Sequence, residues 1–258
     1  METVDLATAS LLGYILILFR VGGIMIFAPF FGSGLIPARL KMAFAMVIAL
    51  ALLPAVRPEV PAEVSIGWIL ETSAGESAVG MVIGYAAGLV FVGAQIAGMQ
   101  IGQQMGTGIA NVFNPLIEDQ ISLVGQFYFY FAIFIYLGIG GHHMLFTALV
   151  TSFETLPAGW MALSGKTLAM LITLFGHLFA VAFAVSAPIV LTLFLTTVAM
   201  GFIARTVPQM NILIVGFPVR LIVGLTVMAF TLPSIGSFLA RTIGVVMDAV
   251  VSMIQVSG

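Results

Sequence analysis

Long stretches of apolar residues dominate the chain and alternate with short polar connections. A bilayer has a hydrocarbon core about 30 Å thick, which takes roughly 20 apolar residues to cross as a helix. The first stretch runs from Leu6 to Ala28, is interrupted only by Arg20, and ends at Pro29. Proline inside a helix disrupts its hydrogen bonding. The pattern therefore predicts a membrane-spanning helix that ends here and is followed by a turn over 32–37.

The second stretch is short for a membrane span, because it covers only Met42 to Leu53 and stops at Pro54. A polar loop follows over 57–63, with two prolines and two glutamates. This stretch is therefore predicted to be half of a hairpin rather than a full crossing.

The third stretch, from Ala78 to about Met105, contains two series of glycines spaced four residues apart. Such spacing places a flat strip of small residues on one helix face, where another helix can pack closely. Glutamines among them, at 95, 100, 103 and 104, can hydrogen-bond across a tight interface or line a wet passage, and the glycine strip favours packing. The predicted packing and assembly residues are Gly80, Gly84, Gly88, Gly98, Gly102 and Gly106.

The remaining apolar segments are predicted to bend. Glycines at 138–141 separate an aromatic segment, Phe127 to Tyr136, from a further apolar run. No charge occurs between Lys166 and Arg205, and a straight helix of that length would be nearly twice the bilayer thickness. Pro188 is the expected kink. The last segment, from 212 onward, carries a helical stripe of Ile235, Leu239, Val246, Val250 and Ile254.

Composition narrows the class of protein. The 258 residues are 61% hydrophobic and 7% charged, whereas soluble domains have roughly 25% charged residues. An all-α integral membrane protein without a separate soluble domain is therefore predicted. The acidic start does not resemble a signal peptide, so the first apolar segment is expected to be retained. Basic residues give no clear orientation, which favours kinked hairpins packed against other proteins.

Candidate chemistry is sparse. The eight Lys and Arg residues are scattered singly, which argues against nucleic acid as a partner, and the chain has no cysteine. The segment 159–167 has five residues where a phosphate-binding loop has four, and the zinc-protease and serine-hydrolase motifs do not occur. His142 and His143 point about 100° apart on a helix, and His177 has no partner at ligand spacing. No enzyme activity, metal or cofactor is predicted.

Two kinds of feature point instead to subunit contacts and a channel: arginines inside apolar segments, and an apolar loop. A charge inside an apolar segment is expensive and usually faces protein or water. Arg20 either reaches the membrane interface or, like Arg220, pairs with a carboxylate of another subunit. Ile109, Val112 and Phe113 are apolar residues on a loop, which suggests a hydrophobic constriction that seals by excluding water.

Several short motifs are spread over nearly the whole chain. They lie at 20–29 with 36–37, 97–106, 141–143 with 152–153, and 207–211 with 216–218. The most specific element is Pro-Gln-Met-Asn at 208–211 followed by Gly-Phe-Pro at 216–218. Together these motifs resemble the FliR family, the export-gate subunits of flagellar type III secretion. Injectisome proteins of the SctT superfamily share much of this pattern.

The resemblance implies a fold and partners. A FliP-like part with the plug loop would cover 1–165, and a FliQ-like helical hairpin would cover 166–258. The chain would assemble with FliP-like and FliQ-like subunits beside FlhA-like and FlhB-like components, in the flagellar basal body of the bacterial inner membrane, contacting lipid. It would form a secretion pore for unfolded proteins, with Ile109 and Phe113 in the plug. The expected subunit contacts are Arg20, Arg205, Pro208, Gln209, Asn211, Gly216, Pro218 and Arg220.

A stand-alone secondary transporter is the alternative from another class. It would show internal repeats and ionisable residues around a site at the membrane midplane. The sequence shows no convincing repeat, which favours the export-gate hypothesis.

Overall fold

A computed structural model describes residues 6–32, 36–56, 60–61, 64–107, 122–156, 165–207 and 212–257. Within these ranges all regular structure is helical, which confirms the predicted all-α class. The helices are α1 (Leu6–Phe27), α2 (Ala38–Val56), α3 (Ile66–Met105), α4 (Leu123–Gly138), α5 (Gly141–Thr155), α6 (Gly165–Thr206) and α7 (Ile212–Ser257).

Five of these helices, α1, α2, α3, α6 and α7, are long and apolar enough to cross a membrane. A sixth crossing exists if α4 and α5 together form one span. Helix α2 is longer than its apolar run and has 19 residues, because good helix formers precede Met42 and Pro54 lies only in its last turn. The expectation of a half hairpin is therefore corrected to a helix of spanning length. Helix α3 likewise begins twelve residues before Ala78, at Ile66.

The last two helices are far longer than a bilayer requires. Helix α6 has 42 residues and continues through Pro188, and α7 has 46 residues and continues through Pro218 and Pro233. At 1.5 Å per residue their contour lengths are roughly 63 and 69 Å, against a hydrocarbon core about 30 Å thick.

The chain divides into two compact units by packing. The first unit contains residues 1–89, 140–175 and 243–258, and the second contains 90–139 and 176–242. Helices α3, α6 and α7 contribute residues to both units. This grouping does not test the predicted boundary at 165/166, which stays a prediction.

The predicted stripe on α7 is buried along its length, which confirms the helical periodicity in that segment. Ile235 and Leu239 belong to the core of the second unit, and Val246, Val250 and Ile254 belong to the core of the first. All five side chains are at most 5% exposed.

The predicted glycine break after the aromatic segment is also confirmed. Helix α4 ends at Gly138 and α5 begins at Gly141, with Gly140 between them at a φ of 74°. Only glycine adopts this left-handed conformation at no steric cost. The break therefore depends on the absence of a side chain at Gly140.

Candidate functional site

The largest fully buried side chain of the first unit is the charged Arg20, with 0% of its surface exposed. Its partner is Glu76 of α3, which is 1% exposed. The Arg20 Nε donates to Glu76 Oε2 at 2.5 Å, and Nη2 donates to Oε1 at 3.1 Å. The pair is bidentate, the geometry in which a guanidinium and a carboxylate bind most strongly.

The remaining Arg20 donors reach the end of α5. Nη1 donates to the Ser152 carbonyl at 2.7 Å and to its hydroxyl at 3.2 Å, and Nη2 donates to the Leu156 carbonyl at 3.0 Å. The last carbonyls of a helix carry partial negative charge, and the Ser152 carbonyl accepts the Leu156 N–H at 3.0 Å in addition to Arg20. Arg20 therefore caps α5 while it holds α3.

An aromatic ring completes this cluster. The Arg20 guanidinium carbon lies 3.9 Å from the centroid of the Phe153 ring, which is within cation–π range. Phe153 is itself buried. The α1–α3–α5 cluster is defined as Arg20, Glu76, Ser152, Phe153 and Leu156. In it the α1 guanidinium is bound by groups of α3 and of the end of α5.

This cluster corrects the prediction for Arg20, whose carboxylate partner lies in the same chain and not in another subunit. The alternative prediction, in which Arg20 reaches the membrane interface, is also wrong, because the Arg20 side chain has no exposed surface. The sequence reasoning missed Glu76 because it began the third apolar stretch at Ala78. A usable signal existed: Glu76 lies four residues before Gly80 and so shares the face of the glycine series.

The first glycine series lies against α1 of the same chain. A Cβ on Gly80 would overlap the Arg20 carbonyl oxygen, and one on Gly84 would stand 2.5 Å from the Ile24 carbonyl oxygen. Gly88 would place its Cβ 2.9 Å from the Phe27 carbonyl oxygen. The strip therefore allows close approach of two backbones within the first unit.

The second series belongs to the second unit, and its members differ. Gly98 lies against Val124 and Gly125 of α4, where an added Cβ would be 2.5 Å from the Val124 carbonyl oxygen. A Cβ added to Gly102 would be 3.0 Å from the Ser122 hydroxyl oxygen. Near them, the Ser186 hydroxyl of α6 donates to the Gln100 amide oxygen at 3.0 Å. These contacts again lie within the chain.

Gly106 has a different role from the predicted packing. Its φ is 85°, its N–H donates to the Gln103 carbonyl at 3.1 Å, and the Thr107 N–H donates to the Gly102 carbonyl at 3.1 Å. This pair of hydrogen bonds is the Schellman motif that ends helices. Gly106 therefore terminates α3, which four-residue spacing did not predict.

Several predicted site residues stay predictions. The plug residues Ile109, Val112 and Phe113, and the contact residues Pro208, Gln209 and Asn211, lie outside the described residues. Arg205 is exposed in the last turn of α6, and Gly216 is buried and Pro218 exposed on α7. The Arg220 Nε is buried and has no hydrogen-bond partner among the described residues.

The histidines do not form a metal site in the described part of the chain. His142 and His143 have ring centroids 4.2 Å apart, and His177 is exposed. Among the described residues no three His, Asp or Glu side chains come together as metal ligands. The His142 Nδ1 is buried beside a small apolar cavity and has no described partner.

Comparison with known proteins agrees with the motif pattern. The sequence matches the family described as "Bacterial export proteins, family 1" over residues 11–256. It is 32% identical to the flagellar biosynthetic protein FliR of Bacillus subtilis, over 81% of this chain and 82% of that one. FliR of Escherichia coli is 28% identical over 86% and 84%. The Yop proteins translocation protein T of Yersinia pestis is 24% identical over 98% of each chain.

Proposed function

Since the chain belongs to the FliR family of bacterial export proteins, we propose that it is a channel-forming subunit of a flagellar type III protein export gate. Its role is structural: it assembles with FliP-like and FliQ-like subunits, beside FlhA-like and FlhB-like components, into a pore for unfolded proteins. The gate sits in the inner membrane at the flagellar basal body. A flagellar system is favoured over an injectisome because identity is higher to the FliR relatives.

The main support for this proposal is that three apolar helices, α3, α6 and α7, are longer than a bilayer requires. The apolar spans of α3, α6 and α7 contain 40, 39 and 42 residues. Their contour lengths are therefore about 60 Å, and even a tilt of about 40° leaves each much longer than a bilayer core. Lipid cannot cover all of this apolar length, and the chain itself buries 56%, 39% and 17% of the three spans. The apolar surface left over supports cover by partner proteins.

Exposed apolar side chains support the same conclusion on α6 taken alone. Its buried face includes Val185, Ile189 and Leu193, while large apolar residues also cover the opposite face. Phe183 is 63% exposed and Phe202 is 69% exposed. The exposed large apolar side chains of this helix are Leu168, Ile172, Phe175, Phe179, Phe183, Leu191, Phe194, Leu195, Val198, Phe202 and Ile203.

The proposed subunit contact with the sharpest test is Arg220. Its Nε is buried without a hydrogen bond to a described residue, which costs free energy, while the residue as a whole stays half-buried. The accessible part of the guanidinium would pair with a carboxylate of a neighbouring subunit. Co-expression with FliP-like and FliQ-like subunits should give a stable complex on gel filtration. Arg220→Gln is expected to reduce complex recovery by about tenfold or more, because truncating one partner of a buried charge pair costs roughly 2–5 kcal/mol.

The matched control is Arg241→Gln, which removes an exposed arginine from the same helix. It should leave complex recovery unchanged. If Arg220→Gln assembled as well as the control, the proposed Arg220 contact would be wrong. If the unaltered chain never joined the partner subunits, the proposed assembly would be wrong.

The proposed plug predicts a second effect. Phe113→Ala should leave complex recovery intact but raise ion leakage through the assembled gate, because a hydrophobic constriction seals by excluding water. Ion flux into vesicles containing the purified complex would measure it. Phe230→Ala is the control, since this side chain is 82% exposed on α7. Equal flux in the Phe113 variant and the parent complex would contradict the plug.

A measurement of solute flux through the isolated chain distinguishes the stand-alone transporter hypothesis from this proposal. Vesicles that contain only this chain should transport no small solute. Saturable, solute-specific uptake by the isolated chain would favour the transporter, which places its site between internal repeats.

A further inference from the structure

Helices α1 and α2 pack in the first unit and leave an apolar cleft between them. We name the α1–α2 cleft by its main lining residues, Leu18, Gly22 and Ile26 on α1 and Met42, Ala45 and Met46 on α2. Its cavity volume is about 430 Å³, which lies in the range of pockets that hold organic ligands. Phe19, Gly23 and Ser77 complete the lining.

The surroundings of the cleft differ between its two ends. At one end the Tyr14 hydroxyl donates to the Met46 carbonyl at 3.4 Å and joins the two helices. At the other end the cleft continues into a second cavity of about 310 Å³. It shares Gly22, Ile26, Met42 and Ala45 with the cleft and adds Met25, Ala38 and Lys41. Apart from this lysine, no charged side chain lines either cavity in the described part of the chain.

The position of Lys41 matches that of a lipid headgroup. It lies in the first turn of α2, and lysines at the ends of apolar helices place their ammonium at the membrane interface. The cleft therefore runs from this interface into the apolar span. An apolar space with a lysine at its mouth is complementary to an amphiphile with an anionic head.

We propose that the α1–α2 cleft binds one acyl chain of an anionic phospholipid, with its phosphate beside the Lys41 ammonium. Gly22 supports this because a Cβ built there meets no heavy atom within 4 Å, so the space beside it is open. The neighbouring Gly23 differs, since its Cβ would overlap the Ser77 carbonyl oxygen. The proposal does not depend on the identity of the partner subunits.

The test is photolabelling of the full chain in phosphatidylcholine vesicles. One sample contains phosphatidylglycerol with a diazirine in its acyl chain, and the other contains phosphatidylcholine with the same diazirine. Mass spectrometry locates the labelled peptides. Labelling of α1 and α2 around Met42 and Met46 is expected to be about fivefold stronger with phosphatidylglycerol, which corresponds to one basic side chain at a membrane surface.

Three variants separate a bound lipid from general contact with the bilayer. Gly22→Leu should abolish the preferential labelling by filling the cleft, and Lys41→Gln should make the two lipids label equally. Arg39→Gln is the matched control, because this arginine is exposed in the same turn but does not line the cleft. It should leave the ratio unchanged. If Gly22→Leu fails to fold, Met46→Trp fills the cleft from α2, where the side chain is already 46% exposed.

Equal labelling by both lipids would overturn the proposal, as would a preference that survives filling of the cleft. An equal loss of preference in the Arg39 and Lys41 variants would assign the effect to surface charge and overturn it. Absence of labelling in the assembled gate, together with labelling of the isolated chain, would assign the cleft to a partner helix and overturn it too.

Discussion

Arg20→Met is expected to lower the free energy of unfolding by roughly 3–5 kcal/mol, the usual loss when one member of a buried ion pair is removed. The main cause is the set of buried polar groups that lose Arg20, more than the lost attraction between Arg20 and Glu76. Glu76 is 1% exposed, so its carboxylate would lose the two guanidinium bonds without gaining water. The Leu156 carbonyl would lose the Arg20 donor as well, whereas the Ser152 carbonyl would still accept the Leu156 N–H. Unfolding of the purified chain in mixed micelles, followed by circular dichroism, measures the change.

A double variant distinguishes this explanation from simple loss of packing. Arg20→Met combined with Glu76→Met removes both charges and is expected to recover most of the stability, because apolar replacement of a whole buried pair is often neutral. Arg241→Met, at an exposed position, should change stability by about 0.5 kcal/mol or less. If the double variant were as unstable as Arg20→Met, the loss of the guanidinium bonds to the buried Glu76 carboxylate would not be the cause.

Gly80→Leu is expected to produce a loss of about 3 kcal/mol or more, at the upper end of the range for overpacked sites. The added Cβ would meet the Arg20 carbonyl oxygen and the Ile24 backbone nitrogen. Backbone atoms of a packed helix cannot rotate away as a side chain can, so α1 and α3 would have to separate. Separation would also pull the Arg20 and Glu76 side chains apart. The same micelle unfolding assay reports the loss.

Gly22→Ala is the control for this effect, since the same glycine-to-larger change on α1 meets nothing within 4 Å. It should be neutral or stabilise slightly, because alanine favours the helix by about 1 kcal/mol. Equal stability of the Gly80 and Gly22 variants would show that the α1–α3 contact tolerates widening.

The sequence predicted those features that depend on local periodicity. The stripe from Ile235 to Ile254 is buried because a 3.6-residue repeat places those side chains on one face. The break at Gly140 and the overlong α6 followed from glycine spacing and helix rise. Family membership followed from motifs distributed along the whole chain.

Contacts between residues far apart in the sequence could not be predicted from the sequence patterns. Arg20 and Glu76 are separated by 56 positions, and no periodicity along one segment identifies a partner on another. The role of Gly106 was missed for a related reason, because the residue that ends a helix and the residue that packs within it can share one spacing. The first glycine series predicted close packing but did not show that its partner is α1 of the same chain.

The Arg20–Glu76 pair has a consequence for biogenesis. A lone arginine at the centre of an apolar helix disfavours insertion by about 2.5–3.5 kcal/mol, and its carboxylate is synthesised 56 residues later. At a translation rate of about 5–20 residues per second, α1 would carry an uncompensated cation for roughly 3–11 s. We therefore expect α1 to leave the insertion machinery only after α3 has emerged, so that the order of synthesis would be part of how this fold is reached.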